Sequence, residues 1–189
     1  KVPRVTKLAA RHRDGQTLLT WTEPEPATTA EEMLGKEYQA LRKKLSQVPR
    51  GVGYRVYRAA RPITAATIAG AELVDEVGRL TCWNTGFHGI RLGDKTPVFR
   101  YVVEDGKKPV PPGTGIYAHN PPPVYEDPET KEKEADQEAY YAVSVTVNGE
   151  EDLASFGKGN VLGPVKERSG PGAPILQRIE RPETFFYTK

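Results

Sequence analysis

Nucleophilic or metal chemistry in this chain would have to use Cys82, the histidines His12, His88 and His119, or the serines Ser46, Ser144, Ser155 and Ser169. No serine lies in a Gly-x-Ser-x-Gly elbow, the strained turn that presents a hydroxyl for attack. Ser144 alternates with Val143 and Val145 and reads as a surface hydroxyl on a strand. Cys82 could take His88 or His119 as a base. A lone Cys beside Trp83 reads first as a small buried hydrophobe. The histidines show neither His-x-His nor His-Glu-x-x-His spacing, so no imidazole metal set is expected. Glu126, Asp127 and Glu129 offer oxygen ligands that suit calcium, without the Asp-x-Asp-x-Asp-Gly pattern, and a hydrated charge run is the simpler reading. Nothing places two carboxylates across a cleft, as glycoside hydrolysis needs. No catalytic residue, metal or cofactor is expected.

Two glycine-bearing stretches imitate phosphate loops. "FGKGN" (156–160) lacks the upstream glycine and following Ser or Thr of a Walker loop. "PGTGIYAHN" (112–120) reads as a turn, with Gly113 or Gly115 supplying a positive φ, then a short strand. Ile116 and Ala118 would face the core and Tyr117 and His119 the opposite side. Trp83, Phe87, Tyr101, Tyr117 and Tyr125 cluster in this middle segment. Some fill the core beneath loops. Tyr117, His119, Tyr125 and Trp83 are the candidate binding surface, since aromatic rings anchor peptides or stack on sugars.

The elements that must carry these residues are mostly strands. "QTLLTWT" (16–22) alternates, preceded by an edge strand that ends in the turn Asp14-Gly15. "YRVYR" (54–58), a strand at 72–77 after a helical turn, "TCWNT", "VFRYVV" (98–103), "AYYAVSVTV" (139–147) and "NVLGPVKE" (160–167) continue the pattern. Glu104-Asp105-Gly106 and Asn148-Gly149 mark turns. Residues 28–48 switch period: Leu34, Tyr38, Leu41, Leu45 and Val48 share one stripe, so an amphipathic helix is expected, capped by Thr29 with Glu32 and ended by Pro49-Arg50-Gly51. Residues 125–138 carry seven acids and two lysines and read as a mobile loop.

Composition agrees with a turn-rich β protein: 18 Gly and 17 Pro among 189 residues. A net charge of +2 provides no electrostatic reason for nucleic-acid or anionic-membrane binding. One cysteine excludes an intrachain disulfide, and no apolar run approaches a membrane span. The start at Lys1, without a signal-peptide pattern, suggests a processed protein or part of a longer one. The expected fold is an all-β antiparallel sandwich over 1–167 with one inserted helix and long loops. Residues 168–189 would be a linker and the start of a following segment.

The blocks "QTLLTWTEPEP", "YRVYRA", "YYAVSVTVNGEED" and "GNVLGPV" resemble strands B, C, F and G of a fibronectin type III (Ig-like) domain. The resemblance covers about half of residues 1–167, and the helix between B and C departs from it. It implies that Trp21 is the buried strand-B tryptophan. It makes Tyr141 the tyrosine-corner residue, whose hydroxyl caps backbone ahead of strand F. "PPGTGIY" is similar to the family's loop just upstream. Bacterial members of this style are accessory modules in secreted or periplasmic, cell-envelope proteins, often beside hydrolases. The resemblance therefore implies a non-catalytic module that positions or docks on a neighbouring domain. Its alternatives are a carbohydrate-binding module, with polysaccharide as partner, and a hydrolase fragment contributing to a substrate site.

Overall fold

Alternation along Gln16–Thr22 sends Thr17, Leu19 and Trp21 to one face, and this strand, β2, is the centre of the fold. In the computed structural model, which describes residues 2–47, 51–85, 93–103 and 108–170, β2 pairs antiparallel with β1 (Thr6–Arg13) on one side and β8 (Thr114–His119) on the other. A larger sheet runs β10 (Glu150–Glu151), β9 (Gln137–Val147), β4 (Val52–Ala59), β5 (Glu72–Val77), with β11 (Val161–Glu167) also on β9. The small third sheet has the order β3 (Met33–Leu34), β7 (Pro97–Arg100), β6 (Trp83–Asn84). All named strand pairs are antiparallel, as expected of an all-β sandwich.

Three apolar clusters hold these layers together. Val5, Leu19, Trp21, Tyr54, Val56, Tyr141, Val143 and Val145 fill the space between the two main sheets. Trp21 meets Tyr54 edge-on, with ring centroids 5.5 Å apart. On the other face of β2 and β8, Leu18, Ile116 and Ala118 meet Met33, Cys82, Trp83 and Val98 from the small sheet, with Tyr38, Leu41 and Leu45 of the helix α1 (Gly35–Ser46). The sheet β1–β2–β8 therefore has apolar neighbours on both faces. A third cluster of Tyr57, Ile63, Ile68 and Ala142 covers the outside of the larger sheet. Each fully buried Val or Leu contributes about 1.5–3 kcal/mol.

Several expected boundaries move, each for a local reason. The helix starts at Gly35, not at 28, because Met33 and Leu34 pair with Val98 and Pro97 instead. Its first amides are taken by carbonyls, Gly35 N–H by Thr96 at 2.7 Å and Lys36 N–H by Asp94 at 3.1 Å. The cap is one-sided and falls on Glu37, which accepts from Leu34 N–H at 2.6 Å, rather than on Thr29 and Glu32. Val48 and the stop at 49–50 lie outside the described residues. "TCWNT" contributes only Trp83–Asn84 to a strand, and "VFRYVV" stops at Arg100, after which buried Tyr101 hydrogen-bonds to the Cys82 carbonyl at 2.9 Å. The turn at 104–106 is outside the described residues.

The acidic segment is a hairpin, not a loose loop. Tyr125 bridges Glu134, Glu126 N–H donates to the Lys133 carbonyl at 2.9 Å, and Ala135 N–H donates to Val124 at 2.7 Å. Asp127 closes its tip by accepting from Glu129 N–H at 2.9 Å. Both two-residue hairpin turns are as read, with φ of 51° and 80° at Asp14-Gly15 and 54° and 79° at Asn148-Gly149.

Candidate functional site

"PGTGIYAHN" folds as turn then strand, and its two glycines have different duties. Gly113 takes φ 83°, within the turn closed by Thr114 N–H on the Pro111 carbonyl at 3.2 Å. Gly115 needs no positive φ; it lies opposite Trp21, and a Cβ there would come within 1.9 Å of the indole. Ile116 and Ala118 are buried in the second cluster, as their spacing predicts. Tyr117 and His119 face the inner side, half-buried rather than forming an exposed edge.

The four aromatic or imidazole residues singled out as a surface do not share one. Trp83 is 4% exposed, in the second cluster and on the other side of the sheet from Tyr117. Tyr125 lies on the acidic hairpin. Tyr117 bonds with Asp75, and burial with that carboxylate pushes its phenol up to about 12. His119 packs edge-on against Tyr141 at 6.3 Å; burial and the Arg58 charge lower its basicity, and Nε2 is buried with no partner among the described residues. Cys82 is 1% exposed, and burial followed by the Glu23 charge pushes its thiol up to about 11. His88 and Phe87 lie outside the described residues. No group of three metal-ligating side chains occurs among those described, Glu126, Asp127 and Glu129 included.

The concentrated polar chemistry lies where β11 leaves the sandwich. Glu167, 1% exposed, accepts from the hydroxyls of Thr17 and Tyr141 and from Arg58 Nη2 at 2.8 Å and Nε at 3.1 Å. Tyr141 thus donates to a side-chain carboxylate rather than to backbone ahead of its strand, a departure from the tyrosine corner. Because the Thr17 proton goes to Glu167, its oxygen is left as acceptor, so the His12 Nδ1–H donates to it at 2.8 Å. Nε2 of that tautomer accepts Arg168 N–H at 3.1 Å. Arg168 Nε and Lys166 Nζ reach Asp136, at 2.9 and 3.1 Å, and the two cations hold that carboxyl below its usual range. Ser169 donates to Glu134, and Gly170 sits so close to Asp14-Gly15 that a Cβ on it would be 2.6 Å from the Asp14 carbonyl oxygen. Residues 168–170, expected to begin a linker, are clamped on three sides.

Two further tyrosine–carboxylate pairs follow the same pattern. Tyr54 donates to buried Glu23 at 2.8 Å, and desolvation outweighs that bond to raise the Glu23 carboxyl. Glu151 accepts from Tyr57 at 2.5 Å, from Arg55 at 3.0 Å and from Ser144. Burial works to raise Glu151, but these three donors together bring it below its usual value. Ser144 is accordingly 2% exposed and hydrogen-bonded, not a surface hydroxyl. Such closed sets hold side chains in place; each donor already has its acceptor.

Thr17, Arg58 and Glu167 were missed as site residues, though their phase could have found them. Thr17 keeps step with Leu19 and Trp21, and Arg58 with Tyr54 and Val56. Glu167 likewise keeps step with Val165. A polar residue in the inward phase of an apolar strand needs an internal partner. Comparison of the chain with protein-family models, curated proteins and solved structures finds no match in any of the three.

Proposed function

We propose that the chain is a non-catalytic accessory module of fibronectin type III-like build, which fixes the placement of a neighbouring domain, a hydrolase, in a larger secreted or envelope protein. The observation that carries this reading is the clamp on residues 166–170. A plain spacer needs no such hold on its exit, whereas a positioning module must fix the direction in which the chain leaves it. Asp136 holds Lys166 and Arg168, His12 holds Arg168 as well, Glu134 holds Ser169, and the Asp14-Gly15 turn packs on Gly170.

The strand order supports the family part of the reading. β4, β9 and β11, the counterparts of C, F and G, are neighbours in one sheet, while β1 and β2 lie in the other. The buried Trp21 on β2 also fits it. The helix and small sheet are additions that enlarge the surface on one side.

The test is the tumbling of a polypeptide containing this chain and its adjoining domain, followed by residual dipolar couplings. The expected result is one alignment tensor for both domains, splitting into two when His12→Ala, Asp136→Ala and Ser169→Ala are combined. Two independent tensors in the unsubstituted protein would refute the positioning role.

A further inference from the structure

The cleft between β3, the first turn of α1 and β7 belongs to none of the hydrogen-bonded sets above. Its volume is about 740 Å³, within the range of clefts that hold ligands. Leu34 and Pro97, cross-strand partners on the face turned away from the second cluster, give it an apolar floor, while their strand neighbours Met33 and Val98, 6% and 3% exposed, pack into that cluster. Glu31, Glu32 and Glu37 stand along it. The one cation on its wall, Arg100, is held by the chain's own carbonyls and a ring, one of those carbonyls at the rim itself. Its Nη1 donates to the Val110 carbonyl at 2.6 Å, Nη2 to the Glu31 carbonyl at 3.2 Å, and the guanidinium lies 5.7 Å over the Trp83 ring. Glu31 and Glu32 are exposed, and neither joins an ion pair among the described residues.

Building on the accessory-module reading, the geometry points to this cleft as the seat of an extended segment of the neighbouring domain in which basic side chains alternate with apolar ones. Apolar side chains cover the Leu34–Pro97 floor, and basic ones meet Glu31 and Glu32 at the rim. An acidic segment would add like charge to the rim, and a wholly polar one would leave the floor wet. The charge on the rim, not the area of the floor, selects the occupant.

The experiment titrates the ¹⁵N-labelled full chain with a short peptide alternating leucine and arginine. Amide shifts are expected at Glu31–Glu37 and at 98–100, with weaker binding at higher salt. The double change E31K/E32K is expected to weaken binding roughly three- to tenfold, the scale of exposed charge pairs. The double change E129K/E132K, an equal change in net charge placed on the acidic hairpin, should leave binding within about twofold if the rim is what selects. No shift at millimolar peptide, equal losses in the two variants, or equal binding of a leucine–glutamate peptide would overturn the proposal. Independent domain tumbling would remove the positioning reading and this surface together. Shared tumbling without a peptide response would remove this surface alone.

Discussion

Buried Glu167 and buried Glu23 look alike in burial and differ in what faces them. Glu167 has a guanidinium within 2.8 Å, so replacing it with glutamine leaves Arg58 with its charge unmatched inside the fold. Glu167→Gln is expected to cost about 3 kcal/mol in urea unfolding, the lower end for breaking a buried pair. Glu23 has a tyrosine hydroxyl as its hydrogen-bond donor, and desolvation dominates, so its folded-state carboxyl titrates above 4.5. The native state then binds more protons than the unfolded chain above that pH, and stability falls as pH rises through the folded value. Glu23→Gln keeps an acceptor for Tyr54 and removes that fall. It is expected to be neutral or stabilising once the wild-type carboxyl is ionised and to flatten the decline of the melting temperature above pH 4.5, measured by calorimetry. A large loss of stability at pH 7 would mean that the Glu23 charge is needed after all.

At the scale of elements, β2 and β8 are joined by a match of sizes as well as by hydrogen bonds. Trp21 lies over Gly115, its cross-strand partner, and that glycine leaves room for an indole and nothing more. Gly115→Ala should displace the ring from Tyr54 and cost about 3 kcal/mol, the upper end for overpacking. Near-ultraviolet circular dichroism would report the loss of the Trp21 environment, and an unchanged spectrum would count against the size match. Elements like these were largely legible in the sequence. Alternation located β2, β4, β9 and β11, and Asp14-Gly15 and Asn148-Gly149 located two turns. What was not legible was decided at a distance. The helix lost its expected residues 28–34, the last two of them to a pairing with β7 over sixty residues away, and the acidic segment gained order from backbone bonds that composition does not reveal. The polar site was half legible: Tyr141 was marked, but its acceptor Glu167 lies 26 residues on and carries no motif.

For the whole molecule, the sandwich and its additions are built on a common wall. Leu18 and Leu19, adjacent in sequence, belong to different clusters on the two sides of β2. The additions should therefore not unfold alone. Trp21 and Trp83, the two tryptophans of the chain, report one cluster each. In each single-tryptophan variant, Trp83→Phe and Trp21→Phe, the fluorescence midpoint is expected to coincide with that variant's own far-ultraviolet circular dichroism midpoint. An earlier transition at Trp83 would show the additions to be a separate unit. The common wall has another consequence, for how its strands find their alignment. In a sheet with one wet face, a slip by one residue turns apolar side chains out to water, and solvent rejects the error. Here a slip of β2 would exchange Leu18 and Leu19 between two dry compartments and leave both covered. Water cannot proofread that mistake, so the task passes to the indole at position 21, which closes over a strand only where the opposite residue has no side chain.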